Sequence, residues 1–109
     1  MTSASYPAGT SGSDDIIPVE ELTRDAMLEV AGRVQSASGF AELIYRESEI
    51  DALWSLADIA ARDAALAADP GASRASALRD EIGRAHDLLA EDQCPEAAAI
   101  LRAAVTLLG

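Results

Sequence analysis

Lysine is absent from this chain of 109 residues, and all eight of its basic side chains are arginines. They are opposed by 19 aspartates and glutamates, which gives a formal net charge of −11 at pH 7. Like charges repel over roughly a Debye length, about 8 Å at physiological ionic strength. The composition therefore argues against direct binding to a nucleic-acid backbone or to an anionic membrane, and it favours a basic protein as partner.

Cysteine is nearly absent as well. It occurs once, at Cys94, so an intrachain disulfide framework is excluded. No apolar run reaches the roughly 18 residues that a membrane-spanning helix needs. Residues 1–13 have neither the basic nor the apolar region of a secretory signal. We therefore expect a cytoplasmic protein.

The residues that usually build catalytic and metal sites are scarce. His86 is the only histidine, and neither a positioned nucleophile nor a Glu-x-x-His pair accompanies it. A Gly-rich phosphate loop and a Cys-x-x-Cys motif are missing too. His86 is typical of a half-buried residue with one hydrogen bond, with a general base as the alternative. Cys94 is typical of an inert thiol at a helix start, the alternative being a thiol of lowered pKa. We expect no enzymatic activity, no cofactor and no metal.

Aromatic residues number only four, whereas alanine contributes 24 residues. Alanine favours helices and lets helix axes approach one another closely. The chain also lacks the alternating apolar pattern of β-strands. The sequence therefore predicts an all-α protein, a compact antiparallel bundle of about four helices. A disordered tail is expected over residues 1–15, followed by a single helical domain over residues 16–109.

Glycine divides the first predicted helix. Pro18 suits the first turn of a helix, and an apolar stripe then continues in phase as far as Ile44. Gly39 interrupts that stripe at a cost of about 1 kcal/mol relative to alanine. One helix kinked near Gly39 is favoured over two helices, which would span 18–37 and 40–46.

Short polar residues and prolines mark the other three helices. Ser48 and Asp51 have the spacing of a capping box, with aspartate in place of the usual glutamate. The second helix is predicted from this cap to about Ala68, the third from a Ser73 cap to about Glu91, and the fourth from Cys94-Pro95 onward. The predicted inner face of the third helix consists of Leu78, Ile82, Ala85 and Leu89.

The second helix is apolar on two sides and acidic along a third, at 100° per residue. Trp54 borders the first apolar side. The second side, which we call the apolar flank, consists of Leu56, Ile59 and Leu66. The acidic strip between them consists of Glu47, Asp51 and Asp58. Other acids have an arginine at favourable i,i+4 spacing, whereas Glu47 and Asp51 only repel each other. The compensated pairs are Glu29–Arg33, Glu42–Arg46 and Asp58–Arg62.

Each of these features has two interpretations. The apolar flank makes this helix either central to the bundle or the contact between two copies, and we favour a homodimer. Trp54 is interpreted first as core filling and second as the anchor of a partner interface. The acidic strip is typical of a solvated face, while the alternative is a docking surface for arginine and lysine.

Our functional hypothesis is a small protein-interaction module without a cofactor. Glu47, Asp51 and Asp58 would steer a basic partner, and Trp54 with the apolar flank of Leu56, Ile59 and Leu66 would supply apolar contact. Two alternatives stay open. One is an inhibitor that blocks a nucleic-acid-binding site on a target protein, of the DNA-mimic or anti-defence type. The other is a purely structural homo-oligomer subunit.

Overall fold

The computed structural model describes residues 21–108, in which the chain forms helices and no strand. A 3₁₀ turn, Val105–Leu108, follows the last α-helix. The four α-helices are α1 (Arg24–Gln35), α2 (Phe40–Leu66), α3 (Ala72–Ala90) and α4 (Cys94–Ala104). The predicted all-α bundle is confirmed, and the tail predicted over residues 1–15 lies outside the described residues. No helix within residues 21–108 combines the length and the apolarity that a bilayer crossing requires.

The two C-terminal helices follow their sequence signals. Pro95 lies in the first turn of α4, where its missing N–H leaves no hydrogen bond unmade. α3 begins at Ala72 after a turn in which Asp69 Oδ1 accepts the N–H of Gly71 at 2.7 Å. The predicted cap at Ser73 is wrong, because Gly71 is the N-cap and Ser73 lies inside the first turn. The predicted inner face of α3 is buried, as expected for Leu78, Ile82, Ala85 and Leu89.

The boundary between the first two helices differs from the prediction. α1 begins at Arg24, where the Thr23 hydroxyl accepts the N–H of Ala26 at 3.1 Å; the predicted start at Pro18 lies outside the described residues. Gly39 adopts a φ of 86°, a left-handed conformation that side chains disfavour, so the chain breaks there and α2 begins. The prediction of one helix kinked near Gly39 is therefore wrong.

The capping box predicted at Ser48 and Asp51 is also wrong, because both residues lie inside α2. The Ser48 hydroxyl donates to the carbonyl of Ile44 at 3.2 Å, a bond that serine commonly makes within helices. The true start of α2 is stabilised by Glu42, whose Oε1 accepts the N–H of Ser38 at 3.3 Å. α2 consequently has 27 residues.

The core of the bundle consists of aliphatic and small side chains. α3 packs along both α2 and α4, and α1 packs chiefly against α4. The described aromatic residues, Phe40, Tyr45 and Trp54, are all exposed. The core is therefore built from aliphatic residues and alanines, which let the helix axes approach closely. The buried alanines are Ala31, Ala57, Ala61, Ala85, Ala97, Ala98 and Ala104.

A buried ion group joins α1 to α2. Glu49 and Arg46 are each only 2% exposed. Glu49 Oε2 lies 2.8 Å from Nη2 of Arg33 on α1, and Glu49 Oε1 lies 3.1 Å from Nη1 of Arg46. Removing an ion from water costs several kcal/mol unless opposite charges and hydrogen bonds replace the lost hydration. The two guanidinium groups fulfil that condition for the Glu49 carboxylate.

Replacing Glu49 with glutamine is expected to lower the free energy of unfolding by about 3 kcal/mol, because a neutral amide no longer balances the buried guanidinium charge. The matched control is Glu29→Gln, since exposed Glu29 lies 3.8 Å from the same Arg33. The control should lose at most about 0.5 kcal/mol. Urea denaturation followed by circular dichroism measures both variants. Equal losses would contradict a special role for the buried carboxylate.

Candidate functional site

The acidic strip does not form one solvated face. Glu47 and Asp51 lie beside His86 of α3, whose Nε2 is 3.1 Å from Asp51 Oδ1 and 3.6 Å from Glu47 Oε2. His86 is half-buried, as predicted, and its Nδ1 lies 4.0 Å from Asp87 Oδ1. The two repelling carboxylates of α2 thus share a polar neighbour that comes from another helix.

Asp58, the third acid of the strip, belongs to a separate ion group. Its side chain is only 13% exposed, with Oδ2 at 3.0 Å from Arg62 Nε and Oδ1 at 3.2 Å from Arg79 Nη1. The hydrogen bond that Arg79 donates to Asp58 raises the pKa of that guanidinium. Asp58 therefore connects α2 to α3, and its carboxylate is already engaged within the bundle.

Trp54 lies against α3 at Gly83. A Cβ added at Gly83 would lie 3.5 Å from Trp54 Nε1 and 3.7 Å from Cδ1, which is ordinary van der Waals contact. Trp54 itself is 38% exposed. The core-filling interpretation of Trp54 is therefore wrong, because the indole covers a glycine at the edge of the bundle and keeps part of its surface in water.

A cleft of about 390 Å³ opens beside this indole, and we call it the α2–α3 cleft. Its carboxylates outnumber its single guanidinium three to one, and that guanidinium, on Arg84, lies 2.9 Å from Glu81 Oε1. All three aspartates of the cleft are exposed, and two of them have a neighbour: Asp80 Oδ1 lies 3.3 Å from Arg79 Nη2, and Asp51 Oδ1 lies 3.1 Å from His86 Nε2. The residues that line it are Asp51, Trp54, Asp80, Gly83, Arg84, His86 and Asp87.

The cleft combines two features that attract an organic cation. An indole face attracts a guanidinium or ammonium group within about 6 Å of the ring centre. Carboxylates accept short charge-assisted hydrogen bonds from the same groups. Within residues 21–108 no set of three or more histidine, cysteine or acidic side chains is arranged to hold a metal ion. The α2–α3 cleft thus places an indole and three carboxylates beside one another.

The apolar flank lies on a different side of α2. Ile59 is 57% exposed and Leu66 is 87% exposed, while Leu56 is half-buried. Counted at 100° per residue, Ile59 and Leu66 lie more than 100° around the helix from Trp54. The structure therefore groups Glu47, Asp51 and Trp54 with α3, and separates them from the apolar flank.

Cys94 does not contribute a reactive group. It is buried at the first position of α4. Burial raises the pKa of the thiol, and the negative charge of Asp92 raises it further. The burial fits the favoured interpretation of Cys94, and its low reactivity stays a prediction.

Four cleft residues escaped the sequence analysis because they lie on α3, namely Asp80, Gly83, Arg84 and Asp87. Gly83 was the available signal. Glycine in a helix interior costs about 1 kcal/mol relative to alanine, so its presence marked this turn of α3 as a position to examine for a neighbouring side chain.

Replacing Gly83 with alanine is expected to raise the free energy of unfolding by about 1 kcal/mol, because helix propensity improves and the new Cβ fits against the indole. Gly32→Ala is the matched control, since a Cβ at Gly32 in α1 meets nothing within 4 Å. Chemical denaturation compares the two gains. A loss of stability confined to Gly83→Ala would show that the indole leaves too little room for the new Cβ, and it would contradict the predicted fit.

Nothing matched this chain in comparisons with family models, curated proteins and solved structures. A function is therefore inferred from the geometry of the α2–α3 cleft, its carboxylates and its indole.

Proposed function

We propose that this chain is a small acidic protein-interaction module for a basic partner protein, and that the α2–α3 cleft receives a cationic side chain of that partner. The observation that supports this most directly is the part-exposed indole of Trp54 in a cleft with Asp51, Asp80 and Asp87. The net charge of −11 supports the proposal too, because the long-range field of a charged protein speeds the approach of a partner of opposite charge.

Arginine suits the cleft better than lysine. A guanidinium group is planar, so it can stack on the indole of Trp54 while its N–H groups donate to the surrounding carboxylates. An ammonium group is a compact, strongly hydrated point charge that makes only part of this set of contacts. We therefore infer an arginine side chain as the preferred occupant.

The free energy available from the cleft is too small for tight binding by itself, so we infer that the cleft contributes selectivity within a larger interface. An exposed ion pair contributes about 0.2–1 kcal/mol and an exposed cation–π contact about 0.5–1 kcal/mol. Three carboxylates and one indole thus supply roughly 1–4 kcal/mol, against about 8 kcal/mol for micromolar affinity. The partner must gain the remainder from contacts elsewhere on the bundle.

Trp54 is the only tryptophan of the chain, so its fluorescence reports directly on the cleft. A short arginine–glycine peptide is expected to change that fluorescence at an ionic strength of about 0.15 M, where attraction beyond roughly 8 Å is screened. The variant Asp51→Asn/Asp80→Asn/Asp87→Asn should bind this peptide at least tenfold more weakly, because the charge-assisted contacts are lost.

The matched control has the same net charge but keeps the cleft intact. Asp25→Asn/Asp63→Asn/Asp92→Asn removes three exposed carboxylates that do not line the cleft. The control should bind within about twofold of the wild type, since only screened long-range attraction changes. Equal weakening of both variants would show that the peptide follows the overall charge, and it would overturn the assignment of the cleft.

We also propose that the apolar flank pairs two copies of the chain. The exposure of Ile59 and Leu66 supports this, because a small domain buries only a modest fraction of its surface alone and a symmetric dimer covers such residues.

Sedimentation velocity should give twice the monomer mass for the wild type and the monomer mass for Ile59→Arg. The control Ser73→Arg changes the charge equally on exposed α3 and should stay dimeric. A wild type that sediments as a monomer at every concentration would refute the dimer.

A further inference from the structure

A second concavity lies on the other flank of α3, and we call it the α3–α4 groove. It encloses about 500 Å³, and Leu88 of α3 faces Ile100 of α4 across it. Both side chains are half-buried, which leaves apolar surface in contact with water. Glu81 and Glu96 also line the groove; Arg84 pairs with Glu81, so it is the exposed Glu96 carboxylate that favours a basic group beside the apolar contact.

The groove and the α2–α3 cleft share a wall. Arg84 lines both, and its Nη1 lies 2.9 Å and 3.2 Å from the two carboxylate oxygens of Glu81. The two concavities are thus neighbours separated by the exposed ridge of one helix. A partner segment that crosses α3 meets both of them in succession.

The spacing of the concavities follows from helix packing. Packed helices lie about 8–10 Å apart, so the furrows on either side of α3 are separated by about one such distance. An extended polyproline-type segment rises about 3.1 Å per residue with three residues per turn. Residues three apart in such a segment therefore point the same way and lie about 9 Å apart, a separation close to the one that helix packing predicts for the furrows.

We infer that the α2–α3 cleft and the α3–α4 groove together bind one extended partner segment, with an arginine in the cleft and an aliphatic side chain about three residues away in the groove. This inference rests on the proposed function of the cleft. The occupant of the groove is the same basic segment, argued from the shared wall at Arg84 and from the exposed carboxylate of Glu96.

Proline-rich host peptides test this spacing, because they adopt the required extended conformation. One peptide has a single arginine, and the others add one leucine at separations of about two to five residues from it. Trp54 fluorescence measures each affinity. We expect the leucine at a separation of three to tighten binding by about tenfold over arginine alone, since part of an aliphatic side chain leaves water.

Two variants test whether the gain in affinity from leucine comes from the groove. Ala99→Glu places a charge in the groove lining and should abolish the gain from leucine while it leaves the arginine-only affinity unchanged. Ala60→Glu adds the same charge at an exposed position of α2 outside both concavities and should preserve the gain.

The outcomes separate the two proposals. If the arginine-only peptide leaves Trp54 fluorescence unchanged, the cleft assignment fails and this inference fails with it. Suppose that the arginine-only peptide binds but leucine does not raise the affinity, or raises it equally at every separation. The cleft assignment then stands and the shared segment is refuted. A gain from leucine that persists in Ala99→Glu refutes the shared segment as well. A maximum at another separation refutes the extended register.

Discussion

The burial of one carboxylate, Glu49, fixes how α2 sits in the bundle. A charge removed from water must point towards its counter-charges, here Arg33 of α1 and Arg46 of α2. That requirement and the buried apolar face of α2 impose the same rotation of the helix about its own axis. With Glu49 turned inward, Trp54 and Asp51 fall at the edge of the helix that meets α3, at 100° per residue. The geometry of the α2–α3 cleft therefore depends in part on an ion group on another side of the helix.

Local signals predicted the C-terminal half of the fold and failed at the first boundary. Pro95, in the first turn of α4, favours the helix there through its own fixed backbone angle, whatever the rest of the chain does. Around Gly39 the apolar stripe stays in phase, so periodicity favoured one continuous helix, whereas the backbone turns into a left-handed conformation. The spacing of Ser48 and Asp51 had the opposite effect, since it predicted a helix start where the helix is continuous. A serine hydroxyl can donate to a carbonyl within a helix, here that of Ile44, as readily as it caps a helix. Propensity alone does not decide between such alternatives.

The site was predictable only as far as single helices allow. Periodicity along α2 correctly grouped Glu47 with Asp51 and placed Trp54 near them, because these relations follow from one helix. It gave no information on which residues of α3 face them, so the position of His86 and the contact with Gly83 were missed. It also paired Arg46 with Glu42, whereas the structure places Arg46 beside Glu49, where burial strengthens the attraction.

The length of α2 has a consequence for how the molecule moves. α2 has 27 residues against 19 for α3, and its buried residues all lie between Arg46 and Ala61. Leu43 in the first turn still packs against the core, whereas Phe40 and Leu66 at the two ends are 81% and 87% exposed. Few packed contacts oppose local unfolding at such ends, so we expect them to open more readily than the middle of α2. The α2–α3 cleft, with Asp51 and Trp54, lies on that middle part.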